Sequence, residues 1–383
     1  MNKEKKRLLL FVDWFYPGYK AGGPIQSCKN IVDALKNDFE VYIFTSDRDI
    51  GETIPYSNVQ INQWSFFCSE VKIFYSNASF CTVKNIQDLI SDTQPDTIYL
   101  NSMFSVSFTL KPLLALKKIK NNIKIVLAPR GMLHSGAIGI KKTKKILFLN
   151  LAKITKLMRG IIFHATDEQE VKDIEKFFGR TTKIELIQNI PHINNGQLNI
   201  CEKKSGEIRF VFISRVHPKK NILYFIDILS GVKSCKITLD IYGYVDDTSY
   251  EQKCKNAAGE LSENISVNFK DAIPNYAVFE TISKYHVFVL PTLGENFGHA
   301  IFEALSAGRP VLISNQTPWY NLASQKIGWD ISLDQPKEFT KVIEEISGWS
   351  QYDFDNWCNN AYNFAQDFTN KKDLKQQYKI LFT

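Results

Sequence analysis

Two glutamates eight residues apart carry the first chemistry in this chain. Glu295 and Glu303 lie in LPTLGENFGHAIFEALSAGRPVLIS, Leu290 to Ser314, the first in a loop and the second in an amphipathic helix that starts near His299. A carboxylate accepts hydrogen bonds at both oxygens, which suits the paired hydroxyls of a sugar. The backbone N–H groups of Phe297, Gly298 and His299 would sit at the helix start, where free donors and the positive dipole end favour phosphate oxygens. Ordinary surface charge would also explain two acids on a loop and a helix. Glu303, however, falls among Ile301, Phe302, Ala304 and Leu305, an apolar setting in which acids are rare. The second group is SRVHPKKN, Ser214 to Asn221, in which Arg215 and Lys220 stand five apart where an apolar run gives way to a helix. A planar fork and a point charge could hold a diphosphate from two sides. An exposed basic turn would look the same. The third is YPGYKAGGP, Tyr16 to Pro24, with Gly22 and Gly23 ahead of a helix near Gln26. Without Cβ atoms this backbone could approach a ligand closely, although a tight turn alone would also place glycines there. No G-x-G-x-x-G fingerprint is present.

The elements that must position these residues alternate along the chain. Strand-like runs at Arg7–Asp13, Val41–Thr45, Val71–Tyr75, Thr97–Leu100, Ile123–Ala128, Ile161–Ala165 and Lys183–Ile187 are separated by helical patterns such as Gln26–Leu35, Val83–Ser91 and Asp167–Phe178. After a polar pause at Asn189–Gly206, strands at Ile208–Ser214, Lys236–Tyr242, Ile265–Phe269 and Val287–Leu290 resume, with helices at Ile222–Leu229, Tyr250–Leu261 and His299–Ala307 and a helical tail from Tyr352. Strand–helix alternation predicts parallel sheets with crossover helices, hence two Rossmann-like, doubly wound α/β domains facing each other across a cleft. The expected boundaries are 1–190 and 191–364, with a last helix of about 365–383 returning to the first domain. In such sheets ligands gather beyond the carboxyl ends of the strands, where all three groups above lie.

Composition narrows the class. With 44% apolar and 23% charged residues the 383-residue chain reads as globular, and no apolar run is long enough to span a bilayer. Asp13 and Pro17 interrupt what would otherwise look like a secretory leader. Seven scattered cysteines with no C-x-x-C pair give neither a disulfide framework nor a zinc site, which predicts reduced thiols and a cytoplasmic protein. No D-x-D cluster is placed to hold a divalent metal, so neither a metal nor another cofactor is expected. Charge is uneven: residues 97–166 contain 13 basic residues and no acidic one. That field could attract phosphates on a nucleotide, a nucleic acid or a membrane, or be a solvated lysine-rich face. Nucleic acid is disfavoured because no helix-turn-helix, RNA-binding aromatic motif or zinc module accompanies the charge. Lys141–Arg159 (KKTKKILFLNLAKITKLMR) mixes apolar and basic residues at near-helical spacing. It reads either as an anionic-membrane contact at the inner face of the plasma membrane or as an ordinary crossover helix.

Taken together, the chain resembles the retaining glycosyltransferases of two-domain GT-B fold, the family 4-like group with an E-x7-E signature. Glu295 and Glu303 match that signature, with ENFG in place of the commoner EGFG. Arg215 and Lys220 match the G-R-L-x-x-x-K-G element, here S-R-V-H-P-K-K-N, and the GG loop and IYGY (Ile241–Tyr244) follow the family's order. The resemblance implies that Arg215 and Lys220 hold the donor diphosphate and Glu303 the ribose. It implies that Glu295 with Asn296, Phe297 and Gly298 contacts the transferred sugar, and that Gly22 and Gly23 close over the phosphates. LAPRGML (Leu127–Leu133), HATDEQE (His164–Glu170) and NQTPW (Asn315–Trp319) resemble a subgroup that builds bacterial surface polysaccharides, with Arg130 and His134 as candidate acceptor-side residues. The implied activity is metal-independent transfer from a nucleotide-sugar, in the first place a UDP-sugar, to a glycan or lipid-linked acceptor. An epimerase or phosphorylase of the same shape, or a non-catalytic sugar-nucleotide binder, remains as the alternative.

Overall fold

A computed structural model describes residues 5–119, 122–134, 138, 142–193, 196–370 and 373–383. The chain divides into two compact units, Met1–Ile190 with Asp373–Thr383, and Pro191–Lys372. Both are Rossmann-like α/β domains.

The first unit is built on eight strands, β1 (Arg7–Val12), β2 (Glu40–Ser46), β3 (Trp64–Cys68), β4 (Val71–Ser76), β5 (Thr97–Asn101), β6 (Lys124–Ala128), β7 (Ile162–Ala165) and β8 (Ile184–Leu186), in the order β3-β4-β2-β1-β5-β6-β7-β8. All neighbours are parallel except the edge strand β3, which runs antiparallel to β4 with an irregularity at Phe66–Cys68. β1 shows why the sheet is covered on both sides. Leu8, Leu10 and Val12 enter one core and Leu9 and Phe11 the other, so RLLLFV is apolar without alternation. The helix Leu374–Phe382 completes the first of these cores with Leu374, Tyr378, Leu381 and Phe382. The crossing back into this unit falls at Asp373, later than the sequence pattern placed it. Phe364 and Phe368, on the long helix Gln351–Asn370, pack instead against Trp319 of the second unit.

The second unit carries β9 (Glu207–Ile213), β10 (Lys236–Tyr242), β11 (Ile265–Lys270), β12 (Val287–Leu290), β13 (Val311–Ser314) and β14 (Gly328–Ile331), in the order β11-β10-β9-β12-β13-β14. Every pair in it is parallel. The order reverses direction between β9 and β12, and in the first unit between β1 and β5. These are the switch points at which doubly wound sheets open a crevice. All seven cysteines are free. Among the described residues no helix is long and apolar enough to cross a membrane.

Candidate functional site

The second unit assembles its chemistry at the β9/β12 switch point. The chain leaves β9 at Ser214 and passes very close to the end of β10. A Cβ on Gly243 would lie 1.8 Å from the Ser214 carbonyl oxygen, so that position admits only glycine without rearrangement. Pro218–Lys220 then forms one 3-10 turn, with His217 accepting the Lys219 N–H at 3.1 Å. Asn221 adopts φ 57°, a left-handed conformation that asparagine tolerates better than most residues. The helix Ile222–Leu229 starts directly behind it.

The loop after β12 is tied to this turn. Leu293 N–H donates to the Lys219 carbonyl at 2.8 Å, and the Thr292 hydroxyl lies 3.1 Å from the same oxygen and 3.0 Å from Glu295 Oε1. Glu295 Oε1 in turn meets Lys220 Nζ at 2.5 Å, with side-chain exposures of 13% and 15%. That pair is mostly withdrawn from water, so its charges interact strongly and screening is weak. Burial pushes the Glu295 carboxyl up, and the charges of Lys220 and Lys219 with the Thr292 hydroxyl outweigh it, so the net shift is downward. Burial lowers Lys219, with Glu295 opposing. Arg215, at the start of the same turn, pairs through Nη1 with Asp246 Oδ2 at 2.8 Å. Arg215, Lys219 and Lys220 form one cationic cluster, since Lys219 feels both of the other charges.

Glu303 stands apart from these ions. It is buried in the helix His299–Ser306 between fully buried Ile301, Phe302, Ala304 and Leu305. Among the described residues no hydrogen bond to its carboxyl is found, and burial alone pushes it up to about 7. The two glutamates are therefore different groups, one ionised and paired, the other ready to gain or lose a proton near neutrality. Gly298 caps this helix at φ 75°. Trp319 Nε1 donates to the Phe297 carbonyl at 2.5 Å, and the two rings lie 5.3 Å apart, which fixes the ENFG loop against an aromatic cluster. Asn296 Nδ2 is buried with no partner among the described residues, a costly state that a ligand oxygen would relieve.

In the first unit, Gly22 takes φ 66° and its carbonyl accepts from Ile25 and Gln26 as the helix Gly23–Leu35 begins. Asp49 Oδ2 holds the loop before it through Tyr19 N–H at 2.7 Å and Lys20 N–H at 3.0 Å. Arg130 directs three donors to Asn101, Asn189 and Tyr99, and His134 pairs with Asp173. In this structure both residues are engaged in ties within the unit.

Sequence reasoning passed over Lys219, Asp246 and Asp13. The KK doublet advertised Lys219, but nothing in the chain order announces the Arg215–Asp246 pairing. Asp13 directly follows β1 at the other switch point, accepts the Ser105 hydroxyl at 2.7 Å, and is pushed up to about 6 by burial.

Residues 197–347 match the model of the family described as glycosyl transferases group 1. Among curated proteins, the chain is 28% identical over 201 residues to the UDP-Gal:alpha-D-GlcNAc-diphosphoundecaprenol alpha-1,3-galactosyltransferase of Escherichia coli, covering 46% of this chain and 47% of that protein. It is 24% identical over 188 residues to the O-antigen chain mannosyltransferase RfbU of Salmonella typhimurium, covering 45% and 50%. The matches thus span about half the length of these relatives. Among solved structures, Anabaena Alr3699/HepE in complex with UDP and glucose superposes with a TM-score of 0.70 at 16% identity over 98% of both chains. The stretch 197–347 thus bears the pattern of the glycosyl transferases group 1, on a chain whose two α/β units have the GT-B fold.

Proposed function

We propose that the protein is a retaining glycosyltransferase that moves a sugar from a UDP-sugar to a glycan or lipid-linked acceptor in surface polysaccharide synthesis. The observation that carries the reading is the Lys220–Glu295 pair, flanked by Lys219 and Arg215 at a switch point inside the matched segment. Breaking the bond from the anomeric carbon to phosphate builds negative charge on the diphosphate, which a fixed cationic cluster stabilises without reorganising. Lys220 and Arg215 face that charge, while Glu295 and Asn296 are positioned for the sugar hydroxyls. Glu303 receives the ribose hydroxyls. The acceptor oxygen bonds the anomeric carbon on the face the phosphate leaves, and its proton passes to the departing phosphate oxygen. The donor named for the Escherichia coli relative and the UDP held by the Anabaena structure support a uridine donor.

A panel of nucleotide-sugars, assayed for nucleotide release with and without acceptor lipid or glycan, tests this. Release that depends on acceptor supports transfer. Interconversion of donor sugars without release would overturn it in favour of an epimerase. Because the cations already neutralise the diphosphate, we expect turnover to persist in excess chelator, and abolition by chelation would refute the metal-free route.

Glu303 supplies a pH signature. Hydrogen bonds to a carboxylate favour its charged form, so donor binding lowers a carboxyl that stands at about 7 in the free protein. Donor KM is therefore expected to rise as pH drops below about 7 and to lose that slope in Glu303→Gln. Stability moves the opposite way. The folded value lies above the ordinary 4.5, so the folded protein binds more protons between 4.5 and about 7 and becomes less stable as pH rises across that window. Melting temperatures and KM measured across the window, for wild type and variant, check both signs.

A further inference from the structure

We propose that His217 is a positioning residue of the cationic turn, holding Lys219 and Lys220 in place as a neutral imidazole and releasing the turn when it takes up a proton. Pro218 opens the turn and has no N–H to offer, so the Lys219 amide is the first donor there that needs an acceptor. His217, extended at φ −150° and ψ 146°, stands just ahead of the turn, where side-chain acceptors serve such donors. Its Nδ1 takes the Lys219 N–H at 3.1 Å. The carbonyl of Lys219 is held from the other side, by the Leu293 N–H at 2.8 Å and the Thr292 hydroxyl at 3.1 Å. Lys219 is therefore gripped at both of its backbone groups, by the imidazole and by the loop that carries Glu295. The Lys220 N–H closes the turn on the His217 carbonyl at 2.8 Å, which sets where the Lys220 ammonium meets Glu295.

A nitrogen that accepts an N–H carries no proton of its own, so the hydrogen of the neutral ring sits on Nε2. A second proton has only Nδ1 to go to, and there it sets one donor against another. Protonation and the hydrogen bond to Lys219 exclude each other. The charged groups around the ring stand on two segments. Arg215 and Lys220, on the turn and its approach, oppose protonation, whereas Asp246 and Asp247, after β10, favour it. The two segments are tied together, since the Val216 N–H donates to the Tyr244 carbonyl at 2.9 Å and the Asp246 N–H to the Val216 carbonyl at 3.3 Å. Burial, the largest influence, leaves the imidazole below its ordinary value of 6.5. The latch is thus closed at neutral pH and opens as pH falls through that lowered value. Serine or asparagine would accept the same N–H without titrating, so histidine adds a response to acid. The inference rests on the reading of this turn as the seat of the donor diphosphate, because an open turn spreads the cations that must meet it.

Three substitutions and a pH series test it on the full chain. Asparagine brings its carbonyl oxygen to where Nδ1 lies and does not titrate, glutamine reaches to where Nε2 lies, and alanine offers no acceptor. His217→Ala and His217→Gln are expected to lower donor kcat/KM about tenfold, and His217→Asn to stay within about twofold of wild type. Hydrogen exchange at the Lys219 amide, measured without donor and relative to the unfolded rate at each pH, should be slow near neutrality in wild type and His217→Asn and fast in the other two. On acidification wild type should lose that protection and His217→Asn should keep it. Donor kcat/KM, which reports the free protein, should fall with Glu303 in both and steepen again below 6.5 in wild type alone. Circular dichroism confirms that the variants are folded. A glutamine variant as active as the asparagine one overturns the proposal, as does wild-type protection that survives acid. Exchange is read without catalysis, so the two readings fail separately. A wild type with the acid-sensitive amide that turns over no nucleotide-sugar loses the donor reading and keeps the latch. One that transfers sugar while its Lys219 amide is indifferent to these substitutions does the reverse.

Discussion

Lys220→Ala is expected to lower turnover about 100- to 1000-fold while the protein stays folded, the usual cost of deleting one preorganised group that faces developing charge. Lys220 ends a short turn outside the sheet, so its removal should spare the architecture. Its partner makes the effect larger than the loss of one cation. Glu295 is ionised against the pull of burial because Lys220 and Lys219 hold it so. Without Lys220 the diphosphate faces one fewer positive charge, and the Glu295 carboxyl rises, so that once protonated it accepts sugar hydroxyls less well. The variant should therefore regain part of its activity as pH increases, whereas Arg215→Ala, whose partner is Asp246, should lose rate without that pH response. Steady-state kinetics from slightly acid to slightly alkaline pH, with circular dichroism for the fold, decide the matter. Wild-type turnover in folded Lys220→Ala protein would sink the assignment of this cluster to the donor phosphates.

Arg309→Met should destabilise the second unit by about 3–5 kcal/mol, the largest structural effect we anticipate from one substitution. Arg309 is fully buried. Its guanidinium binds the carbonyls of Tyr285 at 2.8 Å, Ser283 at 2.6 Å, Gly308 at 3.0 Å and Ala307 at 3.2 Å, and that of Asn199 as well. Ser283 and Ala307 end the helices Val278–Ile282 and His299–Ser306, so the cation sits where two helix dipoles are negative. Methionine fills similar volume but returns these buried acceptors to the protein unpaired. Lysine offers a point charge in place of a fork and should rescue only part of the loss. Four of the six tryptophans, Trp319, Trp329, Trp349 and Trp357, lie in the second unit, so denaturant unfolding followed by tryptophan emission reports mainly on it. An unchanged midpoint would show that other donors replace the guanidinium.

Arg309 also marks the limit of what the residues alone disclosed. In EALSAGRPV it reads as one more surface arginine before a proline, because the five carbonyls that bind it come from three separate stretches of the chain. The strands β1 and β12 were legible for the opposite reason. Buried on both faces, they are short unbroken apolar runs, and that pattern is local. The edge strand β3 was not, since Phe66 is exposed and its pairing with β4 is irregular, so WSFFC neither alternates nor fills a core. Gly328 begins β14 at φ 155°, where any Cβ would meet the Val311 carbonyl at 2.3 Å, a constraint set by the neighbouring strand. The site divides in the same way. Arg215, Lys220, Glu295 and Glu303 were visible by type and spacing. That Lys220 pairs with Glu295 while Arg215 takes Asp246 depends on which strands lie side by side, and so does the isolation of Glu303.

The helix Leu374–Phe382 has a practical corollary for dissecting the molecule. Its Tyr378 and Phe382 bury themselves beside Tyr99 and Phe39 at the far end of the polypeptide, and Thr97 Oγ1 donates to the Phe382 carbonyl at 2.8 Å. A recombinant fragment stopping at residue 190 would leave that apolar seat bare and invite aggregation. A soluble version of the leading half calls for its closing eleven residues to be spliced on through a short linker, so gene fusion rather than simple truncation is the sensible route.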